Sequence, residues 1–527
     1  MVRKSALGSL ALALALGMGA ANGADLKIAS RNEVVMDPHY AWSASNLQFY
    51  WQYLGFLVKQ GPHNEALPGL AASFAPVSDT VWEFKLRPGL HFDDGKPVTA
   101  ADVIASYKRA RTLPNAIGSY AGLFSGVTEM KAPDDLTVQL VTEKPYPTLP
   151  VAMTQIAVLP KAVAESATQA DFISGKADIG AAQYKFASYK PGESLVVTRN
   201  DQYYGTKARW DKVTFRFITD DAARVAALLA GDVDVADGIP TGDVERIKKD
   251  GRFAMHVGPA DRVVFLAVDS ERDVTPDVTG NDGKPLAKNP FKDVRVRKAM
   301  SLAINRDAIR DRIMNGLSFP SNQLVTKGVG GYSDDIPAAR YDLAEAKRLM
   351  KEAGWEEGFN LTLRCTNGRL VNDARICQTL GQMFGRINIK TNVALAPPAV
   401  FWAQMTKHDG PRGSVAMLSW SSAGSGEAID LLQNCIHSYD AARKLGTWNL
   451  THYANPEVDK LIDEARVTVD RDKRLALERK ATQLAMADVA VIPMHAQSVA
   501  VATRKDMDFT PYFNESTIAD TVRPAGK

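Results

Sequence analysis

Apolar and polar positions alternate over Lys212 to Thr219, with Val213, Phe215 and Phe217 on one side, which predicts a strand. Asp220 can cap a helix that runs through Leu229 and stops at Gly231, and Asp232 to Ala236 resumes an extended run. A second unit of the same kind starts with Asp342 and Glu345 as a capping box, carries a helix to Ala353, ends it at Gly354 and enters a strand from Phe359 to Cys365. A helix from Asn372 then leads to another extended run, Asn388 to Leu395. Near the end, Asn455-Pro456 opens a helix with Val458, Leu461, Ile462 and Ala465, and a further helix spans Arg471 to Met486. Val489 to Pro493 and Val499 to Thr503 read as two closing strands. Strands and helices that alternate in this way predict mixed α/β domains.

The chain has 527 residues, more than one hydrophobic core usually serves, so two or three lobes are expected. Arg3 and Lys4, the apolar run Leu7 to Met18 and the small residues Ala21-Asn22-Gly23 read as a secretory signal peptide, residues 1–23. No later apolar stretch has the length of a membrane span. A lipid anchor needs a cysteine at the new N-terminus, and the cysteines lie at 365, 377 and 435, so release into the periplasm without a lipid anchor is expected. The formal charge of +3 falls close to neutral once Arg3 and Lys4 are removed, which leaves no electrostatic footprint for nucleic acid.

An oxidising compartment permits one disulfide among three cysteines. Cys365 ends a strand and Cys377 sits early in the next helix, so strand-to-helix packing can pair them; the alternative is three buried, inert thiols. A Gly-x-Ser-x-Gly elbow, a His-Glu-x-x-His helix and a phosphate-binding loop are all absent, which weakens the case for an exported hydrolase. The eight histidines show none of the close spacings of a metal site, and no cofactor is expected.

The segment LAASFAPVSDTVWEFKLRPGLHFDDGKPVTAADVIASYKR, Leu70 to Arg109, has a strand with Trp82, Phe84 and Leu86 on one face, turns at Pro88-Gly89 and Asp94-Gly95, and Thr99 capping a helix with Asp102. It resembles the signature of the dipeptide and oligopeptide family (family 5) of ABC-importer solute-binding proteins. Tyr184 to Gly205, Trp210 to Gly238, Asn289 to Ile309, Tyr341 to Gly354 and Tyr453 to Ala465 resemble the same family in the same order. The resemblance implies a periplasmic-binding-protein-like fold: two α/β lobes with a cleft and hinge, plus an inserted domain. Residues 24–56, 177–268 and 489–527 would form one lobe, 57–176 the insertion and 269–488 the second ligand-binding lobe. A monomer that captures a short peptide or peptide-like small molecule and passes it to membrane permease subunits is the implied function. An oligosaccharide, an opine-like conjugate or a metal chelate is the alternative ligand.

Three segments would line the cleft. The loop Asp37 to Ser43 offers Tyr40, Trp42 and Ser43, either for ligand side chains or for lobe packing. Arg369, in the loop Asn367 to Asn372, stands where peptide-binding relatives carry an arginine for the ligand carboxylate; the alternative is a surface arginine. Trp420 leads into Ser421, Ser422, Ala423 and Ser425. Relatives place an aspartate for the ligand's amino terminus where this chain has Ala423, so recognition of a free ammonium would require Glu427 or Asp430. The serines offer neutral donors and acceptors, or form a plain flexible turn with the glycines between them.

Overall fold

The computed structural model describes residues 24–405 and 413–526; the expected signal peptide lies outside them. Among the described residues, twelve strands join in one sheet that passes through both halves of the molecule. In one half Asp25–Ser30 runs parallel to Lys212–Phe217 and to Val235–Ala236. In the other, Phe359–Thr366 runs parallel to Ile389–Ala396 and to Val415–Trp420. Two long antiparallel strands, Phe253–Val268 and Val491–Arg504, connect the halves. This is the two-lobed α/β architecture with crossing segments.

Local sequence explains the parallel units. Val213 and Phe215 are fully buried, Asp220 accepts from the Ala223 amide at 2.8 Å, and Gly231 closes the helix Asp221–Ala230 at φ 81°. That conformation penalises a side chain, so glycine ends the helix there. The strand that follows is shorter than the pattern predicts, Val235–Ala236 alone. Helix Leu343–Glu352 has half of its expected box: Asp342 accepts from the Glu345 amide at 3.0 Å, but the Glu345 carboxylate turns to Arg348 at 2.6 Å. An exposed ion pair one turn on competes for the same carboxylate.

The two closing strands expected at 489–493 and 499–503 are one strand, Val491–Arg504. Its polar middle, His495 to Ser498, reads as a break in sequence, yet it pairs with Phe253–Val268 on one side and Ser318–Pro320 on the other. Burial, reinforced by Arg306, pushes the His495 imidazole down to about 4, so the ring sits neutral inside the sheet at physiological pH.

A separate four-stranded sheet, Ala71–Ser78, Val81–Leu86, Val127–Asp134 and Thr137–Thr142, packs on helix Ala100–Thr112. Its core draws on residues from Leu57 to Val158, together with Ala181. The capping box at Thr99 and Asp102 is complete.

Cys365 and Cys377 are disulfide-bonded with Cα atoms 6.6 Å apart, tying strand Phe359–Thr366 to helix Asp373–Gly385; Cys435 is a buried free thiol. On the chain-entropy model so short a loop contributes about 3 kcal/mol.

Buried carboxyls give the fold a pH dependence. Asp178 accepts from the Tyr53 hydroxyl at 3.0 Å and is pushed up to about 8, chiefly by burial, with Asp37 and Asp93 adding to the shift. Asp261 is likewise raised to about 7 by burial, against the pull of Arg262 and of its hydrogen bonds. Between an unfolded value of about 3.9 and these folded values the native state holds protons that the unfolded chain has lost. Their contribution is full below about pH 4 and is lost as pH rises through about 7 to 8. His39 and His495, both lowered to about 4, act in the opposite direction up to the unfolded histidine value of about 6.5. Stability is therefore expected to fall from pH 6.5 to 8, by about 1 kcal/mol per pH unit for each carboxyl still titrating. Thermal midpoints across that range check this, and Asp178→Asn should flatten the slope.

Candidate ligand-binding cleft

The two crossing strands slip register midway. Pro259 faces Ser498 and Val263 faces Ala496, so Ala260, Asp261 and Arg262 stand opposite Gln497 alone. Extra residues of this kind bend a strand and re-aim its side chains. Asp261 turns inward, accepting from Ser421 Oγ at 2.9 Å and from Asn64 Nδ2 at 2.6 Å. Arg262 turns to a cavity of about 340 Å³ beside the neighbouring strand Val415–Trp420.

Three indoles form the cavity's aromatic wall. Trp402, on helix Pro398–Met405, meets Trp448 edge-on at 5.4 Å between ring centroids, and Trp448 meets Trp420 at 6.0 Å. The Arg369 guanidinium lies 5.6 Å from the Trp402 ring centre. Partial burial lowers the Arg369 pKa, and the like charge of Arg262 lowers it further. A second cavity, about 370 Å³, opens on the other side of Arg369 between Asp237 to Thr241 of one half and Gly368 to Asn372 of the other. Both volumes lie within the range of small-molecule sites.

Asp373 positions Arg369. Its buried carboxylate accepts from the Thr366 hydroxyl at 2.8 Å and from the amides of Gly368 and Arg369 at 3.1 and 3.0 Å. Gly368 and Asn372 take left-handed backbone, φ 87° and 57°, which folds the loop tightly around that carboxylate. Asn372 Nδ2 then donates across the cleft to Thr241 Oγ1 at 3.0 Å.

The serine loop is largely engaged within the protein. Ser421 donates to Asp261 and accepts from the Ala423 amide, while Ser425 donates to the Glu427 carbonyl. Ser422 is buried. Ala423 accepts at its carbonyl from Gln60 Nε2 at 3.1 Å. Glu427 does not stand in for the missing aspartate: Arg474 grips both its oxygens, at 2.7 and 2.8 Å, and both side chains are buried. Asp430 lies beneath Gly424, its carboxyl raised to about 6 by burial and opposed by Gln433 and Ser425.

Trp420, Ser421 and Arg369 thus share the first cavity, and Arg369 and Asn372 the second. Tyr40, Trp42 and Ser43 line neither. Their loop bridges to the segment around Gly118, where Trp42 N donates to Gly118 O at 2.9 Å, and Ser43 bonds Ser45 at the start of helix Ala44–Tyr53. Sequence reading missed Arg262, Trp402 and Trp448. For Arg262 a signal existed, a charged pair at 261–262 just before the apolar run Val263 to Val268.

Two α/β halves joined by long crossing strands, with cavities at the joint, define a protein that holds a small solute between lobes. A model of the family described as bacterial extracellular solute-binding proteins, family 5, matches residues 65–441, and the chain belongs to that family. The dipeptide-binding protein of Escherichia coli K12 is 26% identical over 513 residues, 92% of this chain and 89% of the relative. The glutathione-binding protein GsiB of the same strain is 24% identical over 518 residues, 96% of each. Among solved structures, the ABC transporter substrate-binding protein CtaP of Listeria monocytogenes superposes with a TM-score of 0.78 at 22% identity, covering 95% of this chain and 99% of its own. No helix among the described residues is long and apolar enough to cross a membrane, and no group of three or more His, Cys, Asp or Glu among them could hold a metal ion.

Proposed function

We propose that this chain is the periplasmic receptor of an ABC importer for a short peptide or peptide-like molecule, whose carboxylate pairs with Arg369. The observation that carries the reading is an arginine without a carboxylate partner among the described residues, aimed along an indole wall at the joint of two lobes. A planar guanidinium matches a carboxylate through two parallel hydrogen bonds. The dipeptide and glutathione ligands named for the relatives support a peptide-like guest.

The same reading makes the protein a monomer, released rather than lipid-anchored, that delivers its guest to permease subunits without altering it. Residues 24–56, 177–268 and 489–527 form one lobe, 57–176 the insertion and 269–488 the second lobe. Separate cores around Phe215, around Phe84 and around Leu363 support three bodies, with Ala157 to Phe172 packing into the first core and Val264 to Val268 and Val489 to Met494 into the third.

Fluorescence titration tests the proposal. Peptide-like carboxylates should change the emission of Trp420, and Trp420→Phe should remove most of the change; a full signal without Trp420 would place the guest elsewhere. Arg369→Ala should weaken carboxylate ligands tenfold or more through loss of a charge-assisted contact, and unchanged affinity would remove Arg369 from the site.

A further inference from the structure

The first cavity is cationic beyond the one arginine that the proposed function uses. Arg262 has Glu515 as its nearest carboxylate in an ion pair, at 3.8 Å, but Arg31 already holds Glu515 at 2.8 Å. Arg369 has no carboxylate partner among the described residues, and the two guanidiniums line the same cavity. Among the described residues no acidic side chain lines it.

Among the described residues the carboxylates of this loop region are engaged. Asp261 is turned inward onto Ser421 and Asn64, Glu427 is locked to Arg474, and Asp430 is enclosed below the loop with Ser425 and Gln433. A ligand ammonium entering beside Ala423 would therefore meet two cations and, among the described residues, no free anion. Two like charges in a partly desolvated pocket repel each other, and a guest that places an anionic group on each relieves both.

We propose that the natural ligand is a net-anionic molecule with two anionic groups, one on Arg369 and one on Arg262, with its amine acylated or absent and its apolar body against Trp402, Trp420 and Trp448. This rests on the reading of a peptide-like guest held through Arg369 and adds Arg262 as the residue that sets ligand charge.

Three probes of nearly equal shape separate the possibilities in calorimetric titration: N-acetyl-leucyl-glutamate, N-acetyl-leucyl-glutamine and leucyl-glutamate with its free amine. The first should bind tenfold or more tighter than either of the others. Arg262→Gln should abolish the advantage of the glutamate over the glutamine compound, a loss of about tenfold in the ratio of the two affinities, since one charge-assisted contact accounts for about a tenfold step. Arg262→Lys, which keeps the charge without the planar fork, should restore part of the advantage.

Equal or tighter binding of the free-amine peptide overturns the proposal while leaving a peptide receptor in place. A dianion preference that survives in folded Arg262→Gln overturns the role of Arg262. Failure of all three probes to bind the wild-type protein overturns the peptide-like reading itself and the proposal with it. The wild-type ranking stands without any variant, so a poorly folding Arg262→Gln does not decide the outcome.

Discussion

Arg474→Met is expected to destabilise the second half by about 3–5 kcal/mol, the usual consequence of leaving a buried charge without its partner. Arg474, on helix Arg471–Ala487, donates from Nε and Nη2 to the two oxygens of Glu427, and its Nη1 donates to the carbonyls of Thr468 and Val469, each at 3.0 Å. Beside the pair lies Glu478, fully buried, its carboxyl pushed well above the ordinary range by burial and then by the Glu427 carboxylate. Without the guanidinium, two buried acids face each other with only the exposed Arg471, 3.5 Å from Glu427, to compensate. Glu427 also ends the loop that begins at Trp420 and bridges to Gly330, so the damage should reach the cavity as weaker ligand binding. Thermal or urea unfolding measures the first effect. The double variant Arg474→Met with Glu427→Gln separates the charge from the packing: it should recover a large part of the loss, because the uncompensated carboxylate is gone. A double variant as unstable as the single one would assign the loss to packing around the arginine stem.

The parallel units were legible because everything that specifies them is local. Asp220 and Gly231 bracket a helix between two strands, and Asn455 with Pro456 opens another; Asn455 Oδ1 accepts from the Glu457 and Val458 amides at 3.0 and 3.4 Å. The loop carrying Arg369 was legible for the same reason, since a strand, a glycine and a helix that starts after Asn372 set its course within a few residues. The rest of the cleft depends on pairing between distant parts of the chain. Nothing within Phe253–Val268 states that Ala260 to Arg262 will face a single residue of a strand near the C-terminus, so the outlook of Arg262 is invisible to periodicity. Trp448 lies in an irregular segment with no period to read, held by its amide on the Asn434 carbonyl at 2.9 Å. The fate of Glu427 was hidden too, because an acid in a serine- and glycine-rich loop looks available until the helix bearing Arg474 packs over it.

Hidden pairing also governs the loop after the first strand, where the second large effect is expected. Arg109, on helix Ala100–Thr112, donates to both oxygens of Asp37 at 2.7 and 2.6 Å, with the two side chains 6% and 2% exposed. The guanidinium also lies 5.3 Å from the Phe172 ring centre and donates to the Ala167 carbonyl at 3.3 Å. Asp37 in turn accepts from the His39 amide at 3.0 Å, and His39, lowered to about 4 by burial and then by the Arg109 charge, stays neutral at physiological pH. The pair therefore fixes the loop of Tyr40 and Trp42 to the helix of the four-stranded sheet's core. Asp37→Ala or Arg109→Ala alone should cost about 3–5 kcal/mol, and the pair Asp37→Asn with Arg109→Met clearly less than either, because no lone charge remains inside. Unfolding midpoints of the three variants give the comparison. If the pair variant loses as much as the singles, specific geometry rather than charge burial holds the loop. The calorimetric ligand series run on the pair variant then tells whether Tyr40 and Trp42 matter to the guest: their loop would be loosened while Arg369 and the indole wall stay intact, so unchanged affinity would assign that loop to lobe packing.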